Sequence, residues 1–163
     1  KPVSPIIKNG SKYLPDNYEI SLSTGKAQGN YKTSKNLEIM LNKNPNNVEL
    51  LYAYAIQLKN EKQFEDALSI VNKALEFNPD FALAHFLKGD ILRNMEKYKE
   101  AVDEYLYTTQ INPYCADAYF NIAKILELLD DRELALDYYK TAYQVNPNDT
   151  EIRDIILERY IEL

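Results

Sequence analysis

Apolar residues recur along most of the chain at the spacing of one face of an α-helix. Leu51, Ala55 and Leu58 stand at positions i, i+4 and i+7, and comparable apolar faces follow after short polar breaks. A seventh helix is predicted over 150–163, with Ile152 and Tyr160 on the face toward the preceding helices. The other predicted helices cover residues 48–60, 64–77, 82–94, 98–111, 116–128 and 132–145.

Prolines divide this helical pattern into equal units. Pro45, Pro79, Pro113 and Pro147 stand 34 residues apart, and each of them follows an asparagine. A residue that precedes proline is disfavoured in the helical conformation, so each Asn-Pro pair predicts the end of a helix. A fixed period of this length is typical of stacked-repeat proteins, whose units bury their apolar faces against one another.

The three full units share small residues at fixed positions. They span 48–81, 82–115 and 116–149, and each carries Ala or Gly at its eighth position and Ala at its twentieth. Small residues let two helices approach closely, whereas a bulky side chain there would overpack the crossing. We therefore expect six residues to be buried at helix crossings: Ala55, Ala67, Gly89, Ala101, Ala123 and Ala135.

This pattern resembles the tetratricopeptide repeat (TPR) family, in which each 34-residue unit is a helix–turn–helix. The match covers Val48 to Asp149 without an insertion. The resemblance implies an all-α TPR solenoid, a right-handed superhelix of antiparallel helix pairs. In one departure, Arg132 replaces the aromatic residue of the seventeenth position, held by Phe64 and Tyr98. The turn of the third unit is therefore expected to pack less tightly.

The two ends of the chain extend the repeats differently. Residues 150–163 are expected to cap the C-terminal end as a helix. Residues 33–47 are interpreted as a degenerate N-terminal half-repeat, with a helix from Thr33 or Ser34 to about Lys43. Residues 1–32 are interpreted as an extended basic arm, within which Asp16 to Leu22 could form a short first helix. The expected apolar anchors of this arm are Ile6, Ile7, Tyr13, Leu14 and Tyr18.

Charge is distributed unequally between the ends and the repeats. Residues 1–47 carry seven lysines against three acidic residues, a net charge of +4, while residues 48–163 carry a net charge of −10. A basic arm on an acidic solenoid favours contact within the chain or with an anionic surface, although a solvated arm is the plainer alternative. We favour packing of the arm on the first unit, and filling of the groove by the arm is the alternative. The overall charge of −6 argues against nucleic-acid binding.

Signals of enzyme chemistry are weak. His85 is the only histidine and occupies a helix-packing position, and Cys115 is the only cysteine, so no disulfide can form within the chain. Gly25-Lys26 lacks the remainder of a phosphate-binding loop, and the acidic pairs lack the spacing of a calcium loop. The sequence thus predicts no catalytic residue, no cofactor, no metal site and no small-molecule substrate.

The resemblance implies that the first helix of each unit lines a concave groove. Its centre would be apolar and aromatic, which suits an amphipathic helix or an extended peptide with two or three apolar anchors. Co-chaperones of the family hold a C-terminal carboxylate with Lys, Asn and Arg, and the matching positions here include Tyr52, Ile56 and Leu87, so that function is not expected. The predicted partner-binding residues are Tyr52, Ala53, Ile56, Leu83, Phe86, Leu87, Asp90, Phe120, Asn121 and Lys124.

The function expected from these features is that of a non-enzymatic scaffold or adaptor that binds a protein or peptide. The alternatives are a self-assembly module or a secretion-type chaperone, with the groove filled by the chain's own arm or by a second copy. A regulatory domain of a larger enzyme is a further alternative. The chain begins at Lys1 rather than Met, which suggests that an N-terminal piece was removed. We favour a cytoplasmic location, with export or membrane tethering through that piece as the alternative.

Overall fold

The computed structural model describes residues 6–7, 19–21, 27–28 and 34–160. Within 34–160 the chain forms eight helices, and both ends of all six predicted repeat helices are confirmed. The helix expected upstream of the first unit is also present. The helices are α1 (Ser34–Lys43), α2 (Val48–Asn60), α3 (Phe64–Phe77), α4 (Ala82–Asn94), α5 (Tyr98–Ile111), α6 (Ala116–Leu128), α7 (Arg132–Val145) and α8 (Thr150–Tyr160).

Each helix packs mainly on its neighbours along the chain. The closest pairs are α2 with α3, α4 with α5 and α6 with α7, and each pair also contacts the next one. Helices α1 and α8 pack on the two ends of this stack. The predicted all-α solenoid is therefore confirmed, and its core runs as a continuous apolar layer between the helices.

The positions with small side chains lie where sequence analysis expects them. Ala55, Ala67, Ala101, Ala123 and Ala135 have no exposed surface, and Gly89 is also buried. Because these residues present little bulk, the two helices of each unit can approach each other closely. The predicted burial of all six residues is confirmed.

The turn between the two helices of each unit has an unusual backbone conformation. Lys62, Glu96 and Asp130 have φ angles of 61°, 60° and 63°, and they stand 34 residues apart. These are left-handed values, which residues other than glycine adopt at a cost because the Cβ atom approaches the carbonyl oxygen. The same strained geometry therefore recurs in all three units.

Short strands replace the helix considered upstream. Strands β1 (Ile6–Ile7), β2 (Glu19–Ser21) and β3 (Ala27–Gln28) form an antiparallel sheet in the order β1-β2-β3. The prediction of a helix over Asp16 to Leu22 is wrong for its described part, because Glu19–Ser21 pairs with both other strands. Polar and apolar residues alternate from Glu19 to Leu22, which is the spacing of a strand.

One edge of this sheet reaches the repeats, since β3 lies beside α2. Of the five expected anchors of the arm, Ile6 and Ile7 form β1. Tyr13, Leu14 and Tyr18 lie outside the described residues.

Helix α8 is held against the third unit by Arg132. The guanidinium carbon of Arg132 lies 5.5 Å from the centre of the Tyr160 ring, and its Nη2 donates a 3.1 Å hydrogen bond to the carbonyl oxygen of Arg159. Ile152 and Tyr160 are buried on the face predicted to dock. The arginine that departs from the aromatic pattern thus links the turn of the third unit to the end of α8.

Candidate partner-binding groove

The predicted groove residues of the first two units are buried rather than open. Tyr52, Ala53, Ile56 and Leu87 have no exposed surface, and Leu83 and Phe86 are 4% and 3% exposed. The structure brings these six residues together on α2 and α4, where they offer no free surface to a partner in this conformation. Their role in binding a partner stays a prediction.

The third unit presents a more open surface. Phe120 is half-buried and Lys124 is exposed, whereas Asn121 is 9% exposed. The Nζ atom of Lys124 lies 5.3 Å from the centre of the Phe120 ring, within the range of a cation–π interaction. These residues occupy the same positions of the repeat as the buried residues of units one and two, so exposure along the groove rises from α2 to α6.

Asp90 is the centre of a polar network that joins all three units. The hydroxyl of Tyr105 donates a 2.6 Å hydrogen bond to Oδ1 of Asp90, and Nζ of Lys59 lies 3.6 Å from Oδ2. Burial and the negative charge of Asp90 raise the pKa of Tyr105 far above its ordinary value, so its hydroxyl remains a donor. Asp90, predicted as a contact for a partner, instead accepts from neighbouring helices.

Asn121 is engaged in the same network. Its Oδ1 accepts a 2.9 Å hydrogen bond from Nη1 of Arg93, and its Nδ2 lies 3.5 Å from Oδ1 of Asp90. Both ends of the amide therefore have partners within the chain. Binding of a peptide backbone by Asn121, the role of comparable asparagines in the family, would require this arrangement to change.

An open pocket of about 470 Å³ lies at the C-terminal end of the groove. Side chains of α6 form one side, and α8 contributes Ile155 and Arg159. Sequence analysis did not assign these α8 residues to the site, because α8 was interpreted only as a cap. The pocket residues with charged or aromatic groups are Arg93, Phe120, Lys124, Glu127, Tyr139, Glu151 and Arg159.

Glu127 fixes the floor of this pocket. It accepts hydrogen bonds from the hydroxyls of Tyr139 (2.8 Å) and Tyr160 (2.7 Å), and Nη1 of Arg159 lies 3.1 Å from its Oε2. Burial acts to raise the pKa of Glu127, but the hydrogen bonds from Tyr160 and Tyr139 and the charge of Arg159 outweigh it and hold the pKa below its ordinary value. The carboxylate is therefore charged at neutral pH.

Tyr105 and Tyr139 are structural residues that sequence analysis missed. They stand 34 residues apart, at a position that holds Val71 in the first unit, and both have fully buried side chains. A buried tyrosine usually needs a partner for its hydroxyl group. The replacement of a core valine by tyrosine in two of three units was the signal that polar networks cross the later units.

Asp117, near the start of α6, has an unusual environment. Burial raises the pKa of its carboxyl to about 6, and the carboxylates of Asp149 and Asp90 add to the effect. No ion pair of Asp117 with another residue of 34–160 offsets this. The groove is thus acidic at the beginning of the third unit and basic at Lys124, one face further along α6.

His85 and Cys115 occupy structural positions. Nε2 of His85 lies 2.7 Å from the carbonyl oxygen of Pro79, Nδ1 lies 2.7 Å from Oε2 of Glu104, and the ring packs on Tyr107. Burial raises the pKa of the Cys115 thiol to about 11, which disfavours the reactive thiolate. Among the described residues, no group of His, Cys, Asp and Glu side chains is arranged to hold a metal ion.

Two family models of the tetratricopeptide repeat match the sequence, over residues 71–103 and 116–149. The chain belongs to the tetratricopeptide repeat family. No curated protein sequence matches the chain significantly.

Solved structures of TPR proteins share the fold. A crystal structure of MamA is 19% identical, with a TM-score of 0.68 over 73% of this chain and 70% of that one. The structure of YrrB, described as a TPR protein with an unusual peptide-binding site, is 27% identical, with a TM-score of 0.66 over 74% of this chain. This chain covers 62% of the YrrB chain, less than two thirds of its length.

In the part of the chain that the structure describes, none of the helices has the length and apolar character needed to cross a membrane.

Proposed function

We propose that this TPR chain is a non-enzymatic scaffold that binds a segment of another polypeptide in its concave groove. The observation that carries the proposal is the open pocket between α6 and α8, where a half-buried aromatic ring lies beside an exposed lysine. A rigid aromatic anchor next to a polar rim is the usual composition of a peptide-binding surface. The peptide-binding site named for YrrB, which has the same fold, adds support.

The chemistry of the pocket suggests the kind of segment it binds. Phe120 and Ile155 offer apolar surface to one anchor side chain of the partner. Arg93 and Arg159 are already engaged with Asn121 and Glu127. Lys124, in contrast, forms no salt bridge within 34–160, so its charge is available to an acidic side chain. The proposed ligand is therefore a peptide with an apolar anchor next to Asp or Glu.

The proposal is tested by selecting displayed random peptides on the immobilised full chain and measuring synthetic versions of the selected peptides by fluorescence anisotropy. We expect them to share an apolar residue beside an acidic one. The substitutions Phe120→Ala and Lys124→Ala should each weaken binding about tenfold, the effect of losing one well-placed contact. Because the lysine contact is electrostatic, added salt should weaken binding to the parent chain more than binding to Lys124→Ala.

The matched control is Lys99→Ala, which removes an exposed lysine from the outer helix α5. This variant should bind the selected peptides as the parent does. Circular dichroism must show that the helices persist, since Phe120 also packs on Tyr139. If the peptides bind equally well to Phe120→Ala and Lys124→Ala, or if Lys99→Ala alone loses binding, the pocket is not the binding site.

A further inference from the structure

The burial of groove residues differs sharply between equivalent positions of the three units. At the sixth and ninth positions, Ala53 and Ile56 of the first unit have no exposed surface, while Lys124 of the third unit is exposed. The repeats themselves give every unit the same orientation, so stacking alone does not explain the difference. Something therefore covers the groove over the first unit that does not cover the third.

The contacts of α2 narrow down what this cover is. Helix α2 packs on α1, α3 and α4, and the remaining element beside it is strand β3. The buried residues of α2 include Leu50, Leu51, Ala55 and Leu58 as well as the groove positions, so this helix is enclosed on all sides. A helix of a two-layer solenoid normally leaves one face open, and a fully enclosed one requires an additional layer.

We infer that the N-terminal segment containing β1, β2 and β3 occupies the concave groove over the first two units, and leaves the pocket at α6 and α8 open. The segment is long enough to cover several helices, since the small sheet spans residues 6–28. Its charge also fits, because residues 1–47 carry +4 and the repeats with the last helix carry −10. This inference does not depend on the proposed function, which concerns the open pocket alone.

The inference is tested by thiol labelling of the full chain in a Cys115→Ser background. Ala53→Cys places the only thiol in the chain beneath the inferred cover. In the intact chain we expect this thiol to react with a maleimide as slowly as a thiol introduced by Ala123→Cys, which lies at a helix crossing. Lys124→Cys provides the fast reference, because its position is exposed.

The arm is then disrupted in place by Ile7→Asp with Ile20→Asp, which puts two like charges opposite each other in the β1–β2 pair. The Ala53→Cys thiol should then react about tenfold faster or more, since local opening of a cover governs access to the site beneath it. The Ala123→Cys thiol should remain slow in the same arm variant, which shows that the repeats stay folded.

Three outcomes would overturn the inference. The first is that Ala53→Cys reacts in the intact chain as fast as Lys124→Cys, which would mean that the groove is open. The second is that it stays protected when the arm is disrupted, which would assign the cover to another part of the chain. The third is protection that is lost on dilution, which would assign the cover to a second copy of the chain.

Discussion

The ring of Tyr105 occupies the space that a side chain at Gly89 would need. A Cβ atom added to Gly89 would lie 2.7 Å from Cε1 and 2.8 Å from Cδ1 of Tyr105. The ring has little freedom to move away, because its hydroxyl is held by Asp90 at 2.6 Å. In the first unit the equivalent pair is Ala55 and Val71, in which the smaller side chain faces an alanine.

This contact predicts that Gly89→Ala destabilises the chain, although alanine favours a helix. Overpacking costs about 1–3 kcal/mol, whereas the better helix propensity returns about 1 kcal/mol. The free energy of unfolding, measured by urea denaturation, should therefore fall by about 1 kcal/mol. In a Tyr105→Val background, which restores the pair of the first unit, Gly89→Ala should become neutral or stabilising. Equal effects in both backgrounds would show that the ring is not the obstacle.

The hydrogen bond between Tyr105 and Asp90 should contribute strongly to stability, because it is buried and charge-assisted. Tyr105→Phe is expected to lower the free energy of unfolding by about 1.5–3 kcal/mol. In an Asp90→Asn background the same change should cost less, so a double-mutant cycle should give a coupling energy of at least about 0.5 kcal/mol. Tyr107→Phe on the same helix, which is 40% exposed, serves as the control and should cost little. A coupling energy of zero would contradict the proposed network.

Asp117 predicts a dependence of stability on pH. Its pKa is about 6 in the folded chain against an ordinary value of 3.8. Between these values the folded chain keeps a proton that the unfolded chain releases, so stability falls as pH rises through this window. The loss attributed to Asp117 should be about 1–3 kcal/mol once pH exceeds the folded pKa.

Asp117→Asn should remove this contribution, and the variant should be more stable than the parent above pH 6. Its free energy of unfolding should also lose the downward slope between about pH 4 and 6 relative to the parent. Asp137→Asn, an exposed aspartate of α7, should leave the slope unchanged. The environment assigned to Asp117 is wrong if the parent and Asp117→Asn show the same pH profile.

The hydrogen bond of Tyr160 to Glu127 predicts how α8 is attached. Tyr160→Phe removes a 2.7 Å bond to a charged acceptor and should cost about 1–2 kcal/mol. Because a solenoid loses order locally, amide exchange should accelerate in α8 and remain slow in α4. Tyr143→Phe is the matched control, since its hydroxyl makes no hydrogen bond within the described residues. Uniform acceleration along the chain would contradict local attachment.

The same carboxylate makes this attachment sensitive to acid. The hydrogen bonds of Glu127 hold its folded pKa below the ordinary value, so their stabilisation is present at neutral pH and is lost as pH falls through the folded pKa. Exchange in α8 of the parent should therefore accelerate in acid more than exchange in α4. In Tyr160→Phe the acid effect should be smaller, because one of the bonds is already missing.

The repeat helices could be predicted from sequence because their signals are local. An Asn-Pro pair ends each second helix, and small residues mark each crossing, so Ala67 and Ala101 identify their own environment. The strand at Glu19–Ser21 was missed because its partners lie far along the chain, and pairing of this kind overrides weak local preference.

The groove was predicted less completely than the fold. Repeat positions indicate the direction of a side chain, which is why Phe120 and Lys124 were placed on an open surface. They do not reveal what lies above that surface, so the burial of Tyr52 and Ile56 could not be read from the sequence. Asp90 was predicted as a free acidic group, because its partners Tyr105 and Lys59 come from other helices.

The left-handed turn residues have a consequence for mutational tolerance. Lys62, Glu96 and Asp130 share one backbone conformation, so the same substitutions should be accepted or rejected at all three sites. Glycine and asparagine relieve the strain, whereas a β-branched residue such as valine or isoleucine increases it. In a randomised library selected for folded chains, these three positions should therefore converge on the same narrow set of residues, while the exposed positions around them drift independently.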